Sequence, residues 1–148
     1  MGTLPRVLRI EFTLEIERKA TEVFAYLADV EKLPEWQSSA LESRADGPMG
    51  EGARISELRR LLGRARRTEL EVTAFEPPRR LTLRSLSGPV RFTVDHELAE
   101  DGGGTLLRFT AEAEPGSFLK LAEPVLRRTA EQEFCKDFER LKEILERG

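Results

Sequence analysis

The sequence predicts an α+β fold in which a curved antiparallel sheet of six or seven strands wraps around a long C-terminal helix. Three observations predict it. Segments between residues 7 and 113 alternate between apolar and polar residues with a period of two, which is typical of strands with one buried face. A short amphipathic segment, typical of a helix, follows the first of these strands. Near the C-terminus, apolar residues recur at helical spacing from Phe118 to Leu145.

Composition indicates one domain spanning residues 1–148, with enough apolar residues (39%) to form a core without disulfides or metals. The formal net charge of −3 arises from mixed signs, which argues against a dedicated nucleic-acid-binding protein. Cys135 is the only cysteine, so no intramolecular disulfide can form. The sequence shows neither an apolar stretch of membrane-spanning length nor a signal-peptide pattern. We therefore expect a cytoplasmic protein.

The first strand and two short helices are predicted from residues 7–36. Residues 7–16 alternate, with Ile10, Phe12, Leu14 and Ile16 on one face. Thr21 offers a side-chain oxygen as an N-cap, so a helix is predicted over residues 21–30. Pro34 is suited to the start of a second helical turn, which runs through Trp36.

The rest of the sheet is predicted from alternating segments that are separated by turns rich in glycine, proline and aspartate. These segments are residues 40–45, 53–62, 66–75, 80–87, 90–100 and 105–113. Ser117 can then cap a helix that runs toward Glu146. About 28 residues at 1.5 Å each span ~40 Å, enough to cross a curved sheet from end to end. Such a sheet leaves space at its wider end, and this space is the predicted pocket.

Several motifs, in order along nearly the whole chain, resemble one known superfamily. They are residues 23–36 (VFAYLADVEKLPEW), 50–54 (GEGAR), 75–81 (FEPPRRL), 103–105 (GGT) and 141–143 (LKE). The chain is similar to the START domains, birch-pollen-allergen-like proteins and polyketide cyclases that share the helix-grip fold. The resemblance implies an internal cavity. It implies no particular chemistry, because members share the cavity rather than a set of catalytic residues.

The predicted pocket takes its lining from three parts of the chain. We expect the sheet to contribute Phe92, Val94, His96 and Phe109, and the helix to contribute Phe118, Leu121 and Val125. Trp36 is placed near the entrance, although a tryptophan buries so much area that a core position is an equal alternative. The entrance itself is open to two interpretations, the turn at residues 50–52 or the end of the sheet at residues 115–116.

His96 is the only histidine and shares its predicted face with Phe92, Val94 and Leu98. It is the one candidate catalytic residue, as a general base, and otherwise an anchor for a ligand. The alternative is a core histidine whose hydrogen bonds are satisfied by neighbours. A lone histidine without a cysteine cluster predicts no metal site.

Two groups of charged residues also have two interpretations. Glu57 and Arg59 face inward as a buried pair if Ile55 and Leu61 do, but are solvated if Leu58 and Leu62 face inward; we favour the solvated interpretation. Five arginines cluster around one hairpin, namely Arg59, Arg60, Arg64, Arg66 and Arg67. A phosphate or membrane contact is conceivable. Because Glu57, Glu69 and Glu71 interleave with them, we favour a solvated hairpin with cross-strand pairs.

The function that these features favour is binding or transport of a small hydrophobic ligand, such as a lipid, a quinone or a polyketide-like molecule. The alternatives are a polyketide cyclase/dehydratase that uses His96, helped by a carboxylate or Arg59, and a co-chaperone-like interaction module that exposes a large apolar patch. We expect no cofactor, no metal, no nucleic-acid partner and no stable membrane insertion. The expected oligomeric state is a monomer or a weak homodimer.

Overall fold

The computed structural model describes residues 8–61, 63–88, 90–114 and 123–148. Within them, seven strands and three α-helices follow the predicted order, with a 3₁₀ turn at Val30–Lys32 between the first two helices. The elements are β1 (Leu8–Ile16), α1 (Ala20–Ala28), α2 (Leu33–Trp36), β2 (Ala40–Ala45), β3 (Arg54–Leu61), β4 (Arg64–Glu76), β5 (Arg80–Ser85), β6 (Arg91–Asp101), β7 (Gly104–Glu114) and α3 (Glu123–Arg147).

All seven strands form one curved antiparallel sheet in the order β1-β7-β6-β5-β4-β3-β2. Every neighbour in this order from β2 to β7 is also a neighbour in sequence, so the strands form a meander. β1 joins the far side of the meander by pairing with β7, which leaves β1 and β2 as the two edges. The helices cover the concave face, and the predicted fold class is confirmed.

Alternation in the strands places the core on that concave face. In β1, Ile10 and Ile16 are buried and Phe12 and Leu14 are half-buried, whereas the residues between them are exposed. Residues directly opposite each other on paired antiparallel strands share a face. The side chains of the concave face therefore lie in rows that cross the sheet.

Helix α1 begins one residue earlier than predicted. Its N-cap position is Lys19, which makes no side-chain capping hydrogen bond, and Thr21 lies inside the first turn. The helix is therefore held by burial of Val23, Phe24 and Leu27 rather than by a capping hydroxyl. In α2, Pro34 occupies the first turn as predicted, because a missing N–H costs nothing there.

Helix α3 packs through its C-terminal half. Phe138 and Leu141 are buried, while most described side chains before residue 134 are exposed. The predicted start at Ser117 lies outside the described residues. Among the helices that the structure describes, none is both long and apolar enough to cross a membrane.

Candidate functional site

An aromatic cluster fills the middle of the concave face. Phe12, Phe109, His96 and Leu81 lie in one row across β1, β7, β6 and β5. Phe138 of α3 packs onto this row, with its ring centroid 4.6 Å from that of Phe109 and 5.4 Å from that of Phe12. These contacts close the centre of the face.

Trp36 belongs to the same cluster. Its ring meets Phe138 edge-on at 5.0 Å, and only 1% of the residue is exposed. This placement corresponds to the core alternative for Trp36 rather than to a position at an entrance. Phe109 is also buried, between His96, Phe134 and Phe138.

His96 is held in this cluster by a hydrogen bond to the backbone. Nδ1 lies 2.9 Å from the carbonyl oxygen of Leu81, and because a carbonyl only accepts, Nδ1 carries the hydrogen. Burial lowers the pKa of His96 below its usual value, despite the opposing effects of the Leu81 carbonyl and Asp95. The ring is therefore neutral at pH 7, with its lone pair on Nε2.

The concave face is less tightly covered toward the start of β6. Here the two rows next to the aromatic cluster run from Ile10 through Ala111 to Val94, and from Leu8 through Ala113 to Phe92. Phe92, Val94 and Ala113 are only half-buried. We call the part of the concave face formed by Phe92, Val94, Ala111 and Ala113 the Phe92 end.

A cleft of about 550 Å³ opens at the Phe92 end. It extends around the ends of β5, β6 and β7, so its walls also include polar residues from the convex face. The lining residues are Arg84, Ser85, Leu86, Ser87, Gly88, Val90, Arg91, Phe92, Thr93, Glu112, Ala113 and Glu114. This volume falls in the range of small-molecule sites.

The predicted helical lining differs from what the structure describes. Val125 is 68% exposed, so its side chain faces solvent and does not cover the Phe92 end. The reason is that α3 is anchored by Phe138 and Leu141, more than three turns further along the helix. Phe118 and Leu121 lie outside the described residues. Of the eight predicted lining residues, Phe92 lines the cleft, Val94 lies one row inward, and Trp36, His96 and Phe109 form the aromatic cluster.

A polar row that we did not predict crosses the concave face on the other side of the Phe92 row. It consists of Ser43, Glu57 and Thr68, which are paired across β2, β3 and β4 and are all buried. Thr68 lies beside the cleft wall, because a Cβ built on Gly88 would lie 3.2 Å from its Oγ1. The Oγ of Ser43 and the Nε1 of Trp36 are buried without a hydrogen-bond partner among the described residues. Such atoms are uncommon in folded proteins and call for a ligand or water.

The solvated interpretation of Glu57 and Arg59 is wrong. Glu57 is only 3% exposed, because it shares the face of Ile55, which the sheet buries. Its Oε1 accepts hydrogen bonds from Nε and Nη2 of Arg59, at 3.2 and 3.0 Å. The remaining Arg59 donors reach Ser39 Oγ and Gln37 Oε1, each at 2.7 Å. The guanidinium thus ties the segment after α2 to β3.

Asp137 extends this charged group from α3. Its Oδ1 accepts the backbone N–H of Ser38 at 3.1 Å. Burial raises the pKa of Asp137 above its usual value, although the Ser38 hydrogen bond and the charges of Arg59 and Arg140 act in the opposite direction. The described residues contain no cluster of three or more histidine, cysteine or acidic side chains suited to a metal ion.

Sequence reasoning missed Ser43, Thr68 and Asp137, and it placed Glu57 on the wrong face. A signal for Thr68 and Asp137 was present. Thr68 falls on the same alternation as Leu70 and Val72, and Asp137 precedes Phe138 on the stripe of the C-terminal helix. Ser43 gave none, because a register shift interrupts the alternation of β2 between Ala40 and Glu42. What the sequence could not provide was the register that joins Ser43, Glu57 and Thr68 into one row.

Residues 7–146 match the family described as polyketide cyclase / dehydrase and lipid transport. This chain belongs to that family. No curated protein sequence matches this member of the family. The match spans all of the described elements, so the predicted relationship is confirmed at the level of the family.

Solved structures of similar fold include three of different kinds. The Zhui aromatase/cyclase from a Streptomyces species aligns with a TM-score of 0.79 at 17% identity, over 96% of this chain and 95% of its own. A START superfamily protein from Mycobacterium smegmatis aligns with a TM-score of 0.71 at 18% identity, over 93% of this chain and 98% of its own. Ara h 8.0201 aligns with a TM-score of 0.74 at 12% identity, over 97% and 100%. At these identities the likeness shows a shared fold.

Proposed function

We propose that this family member binds a small hydrophobic molecule that carries a polar group, such as a lipid, a quinone or a polyketide-like compound, at the Phe92 end. The observation that carries the proposal is the partial exposure of Phe92, Val94 and Ala113 beside a cleft of about 550 Å³. The centre of the concave face is filled by the aromatic cluster. The family description, which includes lipid transport, supports the same class of ligand.

The two sides of the Phe92 end suit the two parts of such a ligand. The rows through Ala111 and Ala113 present small apolar side chains, which leave room for an apolar body. Burial of that body would drive binding at roughly 25 cal/mol per Å² of apolar area. The row of Ser43, Glu57 and Thr68 begins beside the cleft wall, where Thr68 offers a hydroxyl group to a polar head.

The test begins with native mass spectrometry of freshly purified protein and organic extraction of any bound mass. Binding is then measured in solution with the fluorescent probe 1-anilinonaphthalene-8-sulfonate. Ala113→Trp fills the cleft and is expected to weaken probe binding at least about tenfold, the effect of losing ~1.4 kcal/mol.

Ala99→Trp is the matched control, because Ala99 is exposed on β6 away from the cleft. Its binding of the probe should equal that of the wild type. Equal loss in both variants, or no loss in either, would show that the probe does not bind at the Phe92 end and would refute the proposal.

A cyclase or dehydratase is the second candidate function, and it is favoured by the neutral state of His96. A buried imidazole with a lowered pKa and its hydrogen fixed on Nδ1 has Nε2 free of a proton, as a general base requires. His96→Gln should then abolish turnover of a poly-β-ketone thioester while leaving probe binding intact. Turnover that is unchanged in this variant would exclude His96 as the base.

The described residues do not favour the interaction-module alternative. The large hydrophobic side chains that they expose are Leu41, Leu86 and Val125, which lie on three separate segments: β2, the β5–β6 connection and α3. An interaction module of the expected kind needs one contiguous apolar patch.

A further inference from the structure

The β3–β4 hairpin carries an unusual concentration of positive charge. Five of the 24 lysine and arginine residues fall within residues 59–67, and no acidic residue lies between Glu57 and Glu69. Four of these arginines are exposed on the hairpin, and we call them the basic arm: Arg60, Arg64, Arg66 and Arg67. They belong to a chain whose formal net charge is −3.

The basic arm extends beyond the neighbouring strands. On one side, the pairing of β2 with β3 ends where Ala40 meets Arg59. On the other, the pairing of β4 with β5 begins only at Leu70. Between these limits β3 and β4 pair with each other, through Leu61 with Arg64 and Arg60 with Ala65. The arm therefore stands out at one end of the sheet.

Two of the three glutamates expected to neutralise the arm are engaged elsewhere, and the third, Glu69, forms no ion pair among the described residues. Glu57 is buried and pairs with Arg59, and Glu71 pairs with Arg84 at 2.8 Å. Within the described part of the chain, one ion pair involves the arm, a distant one between Arg67 and Glu42 at 3.9 Å. The register also sets Arg66 directly opposite Arg59, an arrangement of like charges that destabilises a sheet.

Four arginines elsewhere on the sheet, Arg9, Arg80, Arg84 and Arg108, are paired with carboxylates. Arg9 contacts Glu11 and Glu112, Arg108 contacts Glu11, and Arg80 contacts Asp95 through two nitrogens. Cross-strand pairs thus neutralise part of the convex face, whereas the arm concentrates four exposed arginines with one distant acidic partner among the described residues. A protruding, uncompensated cluster of arginines is complementary to a surface of dense negative charge.

We propose that the basic arm is a docking surface for an anionic lipid bilayer. Its four exposed arginines match the negative charge of lipid headgroups, to which each basic residue near the surface contributes about 1 kcal/mol of attraction. The sequence has no aromatic residue between Trp36 and Phe75, so the arm lacks the stacking platform of a single-stranded nucleic-acid site. Arginine guanidinium groups bind phosphate and carboxylate headgroups through paired hydrogen bonds.

The arm also lies next to the cleft. Thr68, the first residue of β4 after the arm, contacts Gly88 in the cleft wall. A bilayer bound by the arm would therefore lie beside the Phe92 end, where an apolar ligand could pass between lipid and protein. This last role rests on the proposed function, whereas docking itself does not.

Docking is tested by co-sedimentation with vesicles of phosphatidylcholine alone and of phosphatidylcholine mixed with phosphatidylserine. The wild type should bind only the mixed vesicles and should dissociate as salt rises from 0.1 to 1 M, because the Debye length falls from about 10 to about 3 Å. Replacing Arg64, Arg66 and Arg67 by glutamine removes three charges. Because each contributes about a fivefold effect at an anionic surface, binding should fall on the order of 100-fold.

The control replaces three paired arginines, Arg9, Arg80 and Arg108, by glutamine, which changes the net charge equally. This control should bind the mixed vesicles like the wild type. An equal loss of vesicle binding in both variants would show that net charge alone causes the effect, and would overturn the proposal. Equal binding of the wild type to vesicles with and without phosphatidylserine would also overturn it. Tighter binding of the arm to single-stranded oligonucleotides than to vesicles would assign it to nucleic acid instead.

The two proposals fail separately. The probe 1-anilinonaphthalene-8-sulfonate is titrated into the arm variant without vesicles, together with a thermal unfolding curve to verify folding. Normal probe binding with lost vesicle binding supports the arm as a surface distinct from the cleft. If the wild type binds vesicles normally but binds no probe, the docking proposal stands and the proposed function is refuted.

Discussion

At the scale of single residues, the Glu57–Arg59 pair shows how an interior can hold charge. Burying an ion costs several kcal/mol, and attraction to one partner often fails to offset it. Here the guanidinium donates to Glu57 within β3 and to Ser39 and Gln37 in the segment between α2 and β2. The pair is a fixed charged group inside a mostly apolar face.

Glu57→Gln tests how much this pair contributes. The change leaves Arg59, whose side chain is 18% exposed, without its charged partner. Breaking a fully buried pair costs roughly 3–5 kcal/mol, and the partial exposure of Arg59 reduces the expected loss to about 2 kcal/mol. Urea unfolding measures it.

Glu42→Gln is the matched control for that measurement. Glu42 is exposed and lies 3.9 Å from Arg67, so its loss should change the free energy of unfolding by less than about 0.5 kcal/mol. Similar values for both variants would mean that the Glu57–Arg59 pair contributes no more than a surface contact.

Individual side chains also show where sequence reasoning reaches its limit. The period of two placed His96 and Phe92 on the inward face correctly, because each sits in an unbroken alternation. In β3, Ile55 competes with Leu58 as the inward residue, so both faces look apolar. Ile55 faces inward because it pairs with Leu70, which is buried. Glu57 lies two residues further along the same strand, so it also faces inward.

At the scale of elements, α3 is attached by its C-terminal half. Phe138 contacts Phe12, Trp36, His96 and Phe109 with ring centroids 4.6 to 6.0 Å apart. One turn earlier, Phe134 is half-buried and contacts Phe109 at 5.0 Å. The helix is therefore fixed along its C-terminal half, chiefly by Phe138 and Leu141, and presents an exposed surface before it.

Phe138→Ala should destabilise the protein by about 4 kcal/mol, in line with other buried aromatic truncations. Phe134→Ala serves as the matched comparison, with an expected loss of about half that value because Phe134 keeps part of its surface in water. Chemical denaturation of both variants measures the difference. Equal losses of stability in the two variants would contradict the interpretation that Phe138 anchors α3 more strongly than Phe134 does.

The elements themselves were predictable, apart from their ends. Each strand was expected within a few residues of its observed bounds, because Gly, Pro and Asp mark the turns between alternating segments. The start of α1 was not, because a threonine suited to capping stands one residue inside the helix. Packing of Val23, Phe24 and Leu27 overrode that local preference.

At the scale of the whole molecule, His96 couples folding to pH. Its pKa is lowered in the folded protein, whereas in the unfolded chain it is about 6.5. Above that value both states are neutral and the full stability is present. As pH falls, the unfolded chain takes up a proton that the folded protein does not, so stability is lost.

The wild type should therefore lose more stability than His96→Gln as pH falls below 6.5, with a slope difference of up to about 1.4 kcal/mol per pH unit. The measurement is the free energy of unfolding of both proteins at pH 7.5, 6.5 and 5.5, which extend about one unit to either side of the unfolded pKa. Parallel pH profiles would show that the His96 ring is protonated equally in both states.

The site as a whole was less predictable than the fold. Alternation identified which strand residues face inward, but not how closely a helix covers them. The difference between Val125, exposed to solvent, and Phe138, buried, depends on where α3 meets the sheet. That contact is set by tertiary packing, which no local pattern encodes.

The order of the strands also bears on how the chain is made. β1 is synthesised before the other six strands, yet its one partner in the sheet is β7 (Gly104–Glu114). Five strands lie between β1 and β7 in the sequence. The meander from β2 to β7 can assemble from successive hairpins as each segment emerges from the ribosome. β1 must wait, with its apolar side chains uncovered, until β7 has been translated. The last pairing to form is therefore the one that involves the first of the seven strands, and a nascent protein halted before β7 leaves β1 without a partner, for chaperones to cover.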